Sequence, residues 1–341
     1  MMTPANEAVN RQLLLKEYTA ARTGAALFDR SDAAKIELTG PDAATFLHNL
    51  CTQDVKDLVA DSGCETFLTT AKARVVAHGA LSRVNWQGQS VYWFDTEPGQ
   101  AQRAFQHLNH FLISEQVELA NRTAALGLLR VVGPSAAAIL AKACGATLPN
   151  LEPWRHVTLA CNGAAVVVRY HNILNLPGYD CFCEAAQAPR LKERLIAAGA
   201  LPAGAQAYEL LRIEAGWPVV GVDMDENRFV VEVGRGAQAI CYTKGCYLGQ
   251  EPIVMARDRG QVNRMLLGLS CGAGPMLAAG TKLFQGEADV GQVTSSVESP
   301  RLGQAIALAY IRRGSQDPGT KLTIEPVLAG RQAVVCSLPF A

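Results

Sequence analysis

The sequence predicts an α+β protein of two lobes followed by a small C-terminal β-barrel. Three observations carry that expectation. The chain has 341 residues, more than one ordinary core organises. One arrangement occurs twice: a short apolar strand runs into Gly-Pro and then into an alanine-rich helix, at Lys35-Ile36-Glu37-Leu38 before Gly40-Pro41 and at Val131-Val132 before Gly133-Pro134. Finally, the texture changes after Arg264, where short apolar runs are cut by Gly272, Gly280, Gly286, Gly291, Gly303 and Pro318-Gly319, the turn density of a small barrel.

Element by element, Asn6 to Ala21 reads as a helix with Leu13, Leu14 and Leu15 in a thin apolar stripe. Lys35 to Leu38 alternates as a strand. Pro41 is tolerated in a first helical turn and Asp42 complements its dipole, so a helix through Ala43 to Leu47 follows. Glu65 to Val84 reads as two strands, and Trp86-Gln87-Gly88-Gln89 turns into a further strand at Val91 to Phe94. Pro98 opens a helix whose apolar face is Ala101, Phe105, Leu108 and Leu112. His107 and His110 lie three apart on it and, without a carboxylate nearby, read as a solvated face and not as a metal pair. The second strand–Gly-Pro–helix unit runs through Leu140. Gly204 to Ala215 is a helix stopped by Gly216 and Pro218, in which Glu214 is expected to pair with Arg212. The α+β region is thus expected to span 1–261 and the barrel 262–341.

Hydrophobic residues make up 49% of the chain and charged residues 18%, which describes a well-buried globular protein. The 31 basic and 31 acidic residues cancel, so no basic excess exists for a nucleic-acid backbone, although a local basic patch remains able to bind an anionic small molecule. The most apolar stretch, Ala124 to Ala146, is broken by Arg130, Gly133-Pro134 and Lys142, which argues against a membrane helix. Glu7 and Glu17 interrupt any apolar leader near the N-terminus. The ten cysteines are scattered and form no CxxC, with only Cys181 and Cys183 closely spaced. Reduced thiols, no metal centre and a cytoplasmic location are expected.

Lys244-Gly245-Cys246-Tyr247-Leu248-Gly249-Gln250-Glu251 is chemically the most loaded stretch. It sets one thiol between two glycines, which let a backbone approach a ligand closely, and two residues from a lysine whose charge favours a thiolate. KGCYLGQE resembles the signature of the YgfZ family, folate-binding proteins of the GcvT-like (aminomethyltransferase) superfamily that support maturation of iron–sulfur enzymes. The resemblance extends over nearly the whole chain. Leu211-Arg212-Ile213-Glu214-Ala215-Gly216 and Gly221 to Glu226 are similar to T-protein stretches, and Val290 to Ser295 to that family's terminal barrel.

The resemblance implies two lobes and a barrel around a central folate cavity, with tetrahydrofolate or a derivative as cofactor. It implies Cys246 as the working thiol with Lys244 beside it, and Tyr247, Gln250 and Glu251 as folate-facing residues. Within Leu176-Pro177-Gly178-Tyr179-Asp180, the carboxylate of Asp180 takes the place that holds the pterin. Arg257 and Arg259 match arginines that follow the motif, suited to a folate tail. In Lys72 to Gly79, His78 stands where aminomethyltransferases carry an aspartate, and a histidine lacks that permanent negative charge. The expected function is therefore a tetrahydrofolate-binding accessory protein for assembly or repair of iron–sulfur enzymes, with client enzymes or assembly factors as partners. The rival readings are a folate-dependent aminomethyltransferase or demethylase, and a redox sensor working through Cys246.

Overall fold

The computed structural model describes residues 4–260, 262–324 and 331–341. Helix α1 (Pro4–Thr23) leads into β1 (Ala26–Asp29), β2 (Ala34–Thr39) and α2 (Ala43–Leu50). A meander of β3 (Ser62–Thr69), β4 (Val75–Trp86) and β5 (Gln89–Thr96) follows, then α3 (Ala101–His110) and β6 (Glu118–Asn121). The pattern then starts over. β7 (Leu126–Val132) and α4 (Ala136–Cys144) precede a meander of β8 (His156–Cys161), β9 (Ala164–His171) and β10 (Gly178–Glu184), closed by α5 (Ala188–Ala198) and β11 (Leu201–Ala203). The two sheets have matching strand orders, β3-β4-β5-β2-β6 and β8-β9-β10-β7-β1-β11, with β1 entering the second beside β7.

The duplicated Gly-Pro has a steric origin. Gly40 (φ +110°) and Gly133 (φ +132°) end β2 and β7, and a Cβ on either would lie 2.1 Å from the Gln116 carbonyl oxygen or 2.4 Å from that of Gly24. Only glycine tolerates both the positive φ and that approach. The duplication anticipated from sequence is thus a repeated strand-to-helix corner.

Two compact units result: residues 1–46, 55–65 and 79–209, and residues 47–54, 66–78 and 210–341. In the first, α4 and α5 cover one face of the second sheet through Ile139, Leu140, Leu191 and Leu195 against Leu129, Val131 and Val168. A further core joins residues of both sheets, with Trp86 and Trp93 against Leu128, Val167 and Phe182. Apolar side chains alternating along each strand supply both layers. Of the two α3 histidines, His110 is exposed whereas His107 is half-buried: its ring meets Phe111 edge-on at 5.2 Å, and burial pushes its pKa down to about 4.

The second unit contains α6 (Ala205–Glu214) from Leu210 onward, α7 (Gly236–Ala239), α8 (Gln250–Arg259) and a closed barrel. The barrel strands are β12 (Arg264–Ser270), β13 (Lys282–Gln285), β14 (Ala288–Ser299), β15 (Gln304–Arg312), β16 (Lys321–Ile324) and β17 (Gln332–Cys336), in the order β12-β15-β14-β13-β16-β17. Its interior is filled by Leu269, Leu283, Val293, Ala309 and Ile311 among others. The barrel strands begin two residues past the expected boundary, but the compact unit also takes in residues 210–260. Asp223 explains the attachment: it receives Thr294 and Ser295 hydroxyls at 2.6 and 2.7 Å and pairs with Arg212 at 2.7 Å. Glu214 receives Ser299 Oγ and lies 3.7 Å from Arg301, so the acid expected beside Arg212 faces the barrel. No described helix is long and apolar enough to cross a membrane.

Candidate functional site

The second unit assembles the cysteine motif from three separated segments. Residues 240–249 form a loop laid against residues 47–54 and 69–73. Its backbone is tied by Leu248 N–H to the Asn49 carbonyl at 2.8 Å and by Thr69 Oγ1 to the Leu248 carbonyl at 2.9 Å. Gly249 turns the chain into α8 at φ +83°, where a Cβ would stand 2.7 Å from both Thr69 Oγ1 and the Thr70 carbonyl oxygen. Cys246 is exposed on this pinned loop. Of the other nine cysteines, seven are buried and Cys241 and Cys336 are half-buried. Cys246 is thus the exposed thiol of the ten.

Lys244 has a different task from the one expected. It is 7% exposed, and its Nζ donates to the carbonyls of His48, Cys51 (2.8 Å) and Gln53 (2.8 Å). Three donors meeting three carbonyls satisfy the ammonium completely, and the side chain clips the motif to the end of α2. Its charge acts on Cys51, whose thiol burial nevertheless pushes up to about 12. Lys244 is a loop anchor.

The neighbouring motif residues divide into braces and open groups. Gln250 Nε2 reaches back to the Lys244 and Gly245 carbonyls at 3.2 and 3.5 Å, which braces the turn. Tyr247 packs among Phe67, Val75 and Ile253 with Lys244 Nζ 4.6 Å from its ring centroid, while its buried hydroxyl has no hydrogen-bond partner among the described residues. Burial raises its pKa. Glu251 is exposed in the first turn of α8, where a negative charge suits the helix dipole. Arg257, also exposed, pairs with Asp258 at 2.7 Å and lies 5.3 Å from the Tyr242 ring centroid. The side chain of Arg259 lies outside the described residues. His78 is buried in an aromatic stack, 4.5 Å from Phe67 and 4.9 Å from Trp217, with Arg235 4.9 Å from the indole.

Asp180, expected to hold the pterin, belongs to the first unit and is engaged by protein cations. It is completely buried at the centre of a cross-strand row: Arg130 on β7 and Arg169 on β9 are its register partners on either side. Arg130 donates Nε to Oδ1 at 2.7 Å and Nη2 to Oδ2 at 3.1 Å, Arg169 donates Nη2 to Oδ2 at 2.7 Å, and His171 Nε2 stands 3.3 Å from Oδ1. Burial alone would raise the Asp180 pKa, but Arg130, His171 and Arg169 outweigh it and hold the carboxyl well below its usual range. His171 is pushed toward the neutral form by burial, with Arg130 and Arg169 adding to it against the pull of Asp180. The row continues outward, Arg169 to Asp95 at 2.6 and 2.8 Å and Arg130 to the Tyr208 hydroxyl.

Sequence reasoning missed Arg130, Arg169, Asp95 and Tyr208. The signal was present, because a lone arginine inside Leu-Gly-Leu-Leu-Arg-Val-Val or Ala-Ala-Val-Val-Val-Arg-Tyr-His must find a buried partner.

Comparison with known proteins agrees with this architecture. The GCVT N-terminal domain family matches residues 5–239, and the glycine cleavage T-protein C-terminal barrel domain matches residues 264–341. The chain is 28% identical over 326 residues to an aminomethyltransferase of Rubrobacter xylanophilus, covering 95% of this chain and 85% of that one. It is 27% identical over 320 residues to a putative chloroplastic transferase of Arabidopsis thaliana, covering 93% and 71%. Among solved structures, the glycine cleavage system aminomethyltransferase T from Bartonella henselae superposes with a TM-score of 0.86 at 23% identity, over 96% of this chain and 89% of that one. At that identity the likeness speaks for the fold.

Proposed function

The chain belongs to the glycine cleavage T-protein family, and on that premise we propose that it is a tetrahydrofolate-binding accessory protein that supports iron–sulfur enzymes through Cys246, as the YgfZ branch does. One observation carries this reading. The KGCYLGQE loop is pinned by Lys244, Thr69 and Gly249 so that the exposed thiol among the ten cysteines stands on a fixed backbone. A loop evolved only as a connector has no need of a buried lysine saturated by three carbonyls.

The residues present fit a folate in part. The orphaned Tyr247 hydroxyl offers a hydrogen bond, and Arg257 offers a cation for a carboxylate tail. Asp180 enters only on the terms of its arginines. Its oxygens are engaged by Arg130 and Arg169 in complete burial, so the first unit offers no free carboxylate there. Glu251 is exposed and Gln250 braces the turn, which makes Gln250 a shaping residue in this reading.

The second reading, aminomethyl transfer, is favoured by the aminomethyltransferases among the relatives that cover almost the whole chain. Against it stands His78, stacked on Phe67 and Trp217 in the segment where an aspartate is expected.

Two measurements separate the readings. Calorimetry with tetrahydrofolate tests binding itself. Deletion of the gene, followed by assay of several iron–sulfur enzymes and complementation with Cys246→Ala, tests the accessory role: failure of the alanine variant to restore them supports it, and full restoration overturns it. Production of methylenetetrahydrofolate from an aminomethyl donor by the purified protein would instead establish the transferase.

A further inference from the structure

The barrel carries a polar cavity that the folate reading leaves unused. It measures about 230 Å³ and is lined chiefly by Arg228, Arg264, Lys282, Asp289, Tyr310 and Arg312. Four of these six side chains are cationic and one is anionic. Arg264 and Arg312 stand directly opposite each other across β12 and β15, an arrangement in which like charges repel. Tyr310 and Lys282 flank Gln292 in one cross-strand row over β15, β14 and β13.

Two of the four cations have a carboxylate within salt-bridge distance. Lys282 pairs with Asp289 at 3.1 Å, and Arg264 lies 3.6 Å from Glu232. Arg228 and Arg312 form no salt bridge among the described residues, although the charge of Arg228 also acts on Glu232; the Arg228 guanidinium carbon stands over the Tyr310 ring, 3.9 Å from its centroid. A second, independent observation comes from Tyr310 itself. It is 2% exposed, and its hydroxyl has no hydrogen-bond partner among the described residues. A buried hydroxyl without a partner is costly, and an oxyanion reaching Tyr310 from the adjoining cavity would supply the missing acceptor.

We propose that this cavity is an anion-binding site of the barrel, for a small ligand bearing two adjacent oxyanion groups. Arg228 and Arg312 supply the two charges that no salt bridge engages, the planar edge of each guanidinium bonds an oxyanion, and Tyr310 donates its hydroxyl proton to a third oxygen. Phosphoryl and carboxylate groups satisfy this chemistry equally. The site lies wholly within the second unit, and its existence does not depend on folate binding.

Calorimetry of the full chain at low ionic strength with inorganic phosphate, diphosphate and citrate tests the inference. Diphosphate or citrate is expected to bind more tightly than phosphate and to weaken as salt rises, and whichever of the two binds better identifies the ligand as phosphoryl or carboxylate. The double variant R228Q/R312Q is expected to lose about ten- to hundredfold in affinity. Tyr310→Phe is expected to lose several-fold without a lower melting temperature, because the hydroxyl bonds nothing among the described residues. Absence of binding by all three anions, or equal binding to the wild type and the double variant, overturns the site.

Discussion

Arg130 and Asp180 face each other across β7 and β10 and exchange two hydrogen bonds, Nε to Oδ1 at 2.7 Å and Nη2 to Oδ2 at 3.1 Å, in complete burial of the carboxylate. Arg169 closes the same carboxylate from the other side. Buried charges of this kind are worth little as a set when compared with apolar packing, yet they are unforgiving when one partner is lost. Asp180→Asn keeps the size of the side chain and removes its charge. It should destabilise folding by about 3–5 kcal/mol, because two guanidinium groups are left without a counter-charge at that point. Urea denaturation measures this. A loss under about 1 kcal/mol would show that solvent reaches the row.

The buried histidines set an acid limit. Burial, with Arg169 and Arg155, pushes His156 down to about 4, and burial lowers His171. Each folded-state pKa lies below that of the unfolded chain, so between the two values the unfolded state binds more protons. Stability contributed by the neutral rings is therefore complete above about pH 6.5; the His156 part declines as pH falls toward 4, by up to about 1.4 kcal/mol per pH unit, and His171 adds a loss of the same sign. Asp180, whose pKa is depressed, adds a second loss below about pH 3.9, its unfolded value. The urea midpoint should fall measurably between pH 7 and pH 5, and His156→Leu should flatten part of that slope. An unchanged midpoint over this range contradicts the argument.

Cys246 should be the first of the ten cysteines to react with iodoacetamide at neutral pH, as read by peptide mass spectrometry, because it is the exposed one. Cys51, with its thiol raised to about 12, and Cys144, raised to the same level by burial and by Cys161, should react only after unfolding. Lys244→Met should lower stability by about 1–3 kcal/mol through three carbonyls left without a donor. A variant of undiminished stability would return Lys244 to the thiol.

What was legible in the sequence, and what was not, follows from distance along the chain. The Gly-Pro corners were visible because a positive-φ glycine, a proline and an alanine helix are local demands, met within ten residues at Gly40 and again at Gly133. The barrel was visible because its turns punctuate it. Lys244 was misread because it stands two residues from Cys246, whereas its long side chain spends its charge on residues 48–53, almost two hundred positions away. The partners of Asp180 were missed for the same reason: Arg130 and Arg169 become neighbours only through the register of three strands, which no short motif encodes. The cationic cavity likewise needs Arg228 beside strands that begin at residue 264.

Gly249 offers the sharpest test of the pinned loop. Its φ of +83° is strained for any residue with a side chain, by about 1–2 kcal/mol, and an added Cβ would meet Thr69 Oγ1 and the Thr70 carbonyl at 2.7 Å. Thr69 is the residue that holds the Leu248 carbonyl, so Gly249→Ala presses on the hydrogen bond that fixes the loop. The substitution should cost about 2–4 kcal/mol of stability, strain and lost contact together. Where the variant remains folded at low temperature, Cys246 labelling should change in rate while Cys336, on the barrel, should not. Tetrahydrofolate affinity should fall in the same variant if the loop carries ligand contacts through Tyr247. Unchanged stability together with unchanged Cys246 reactivity would mean that the loop is not held as the structure shows, and the case for a positioned thiol would fall with it.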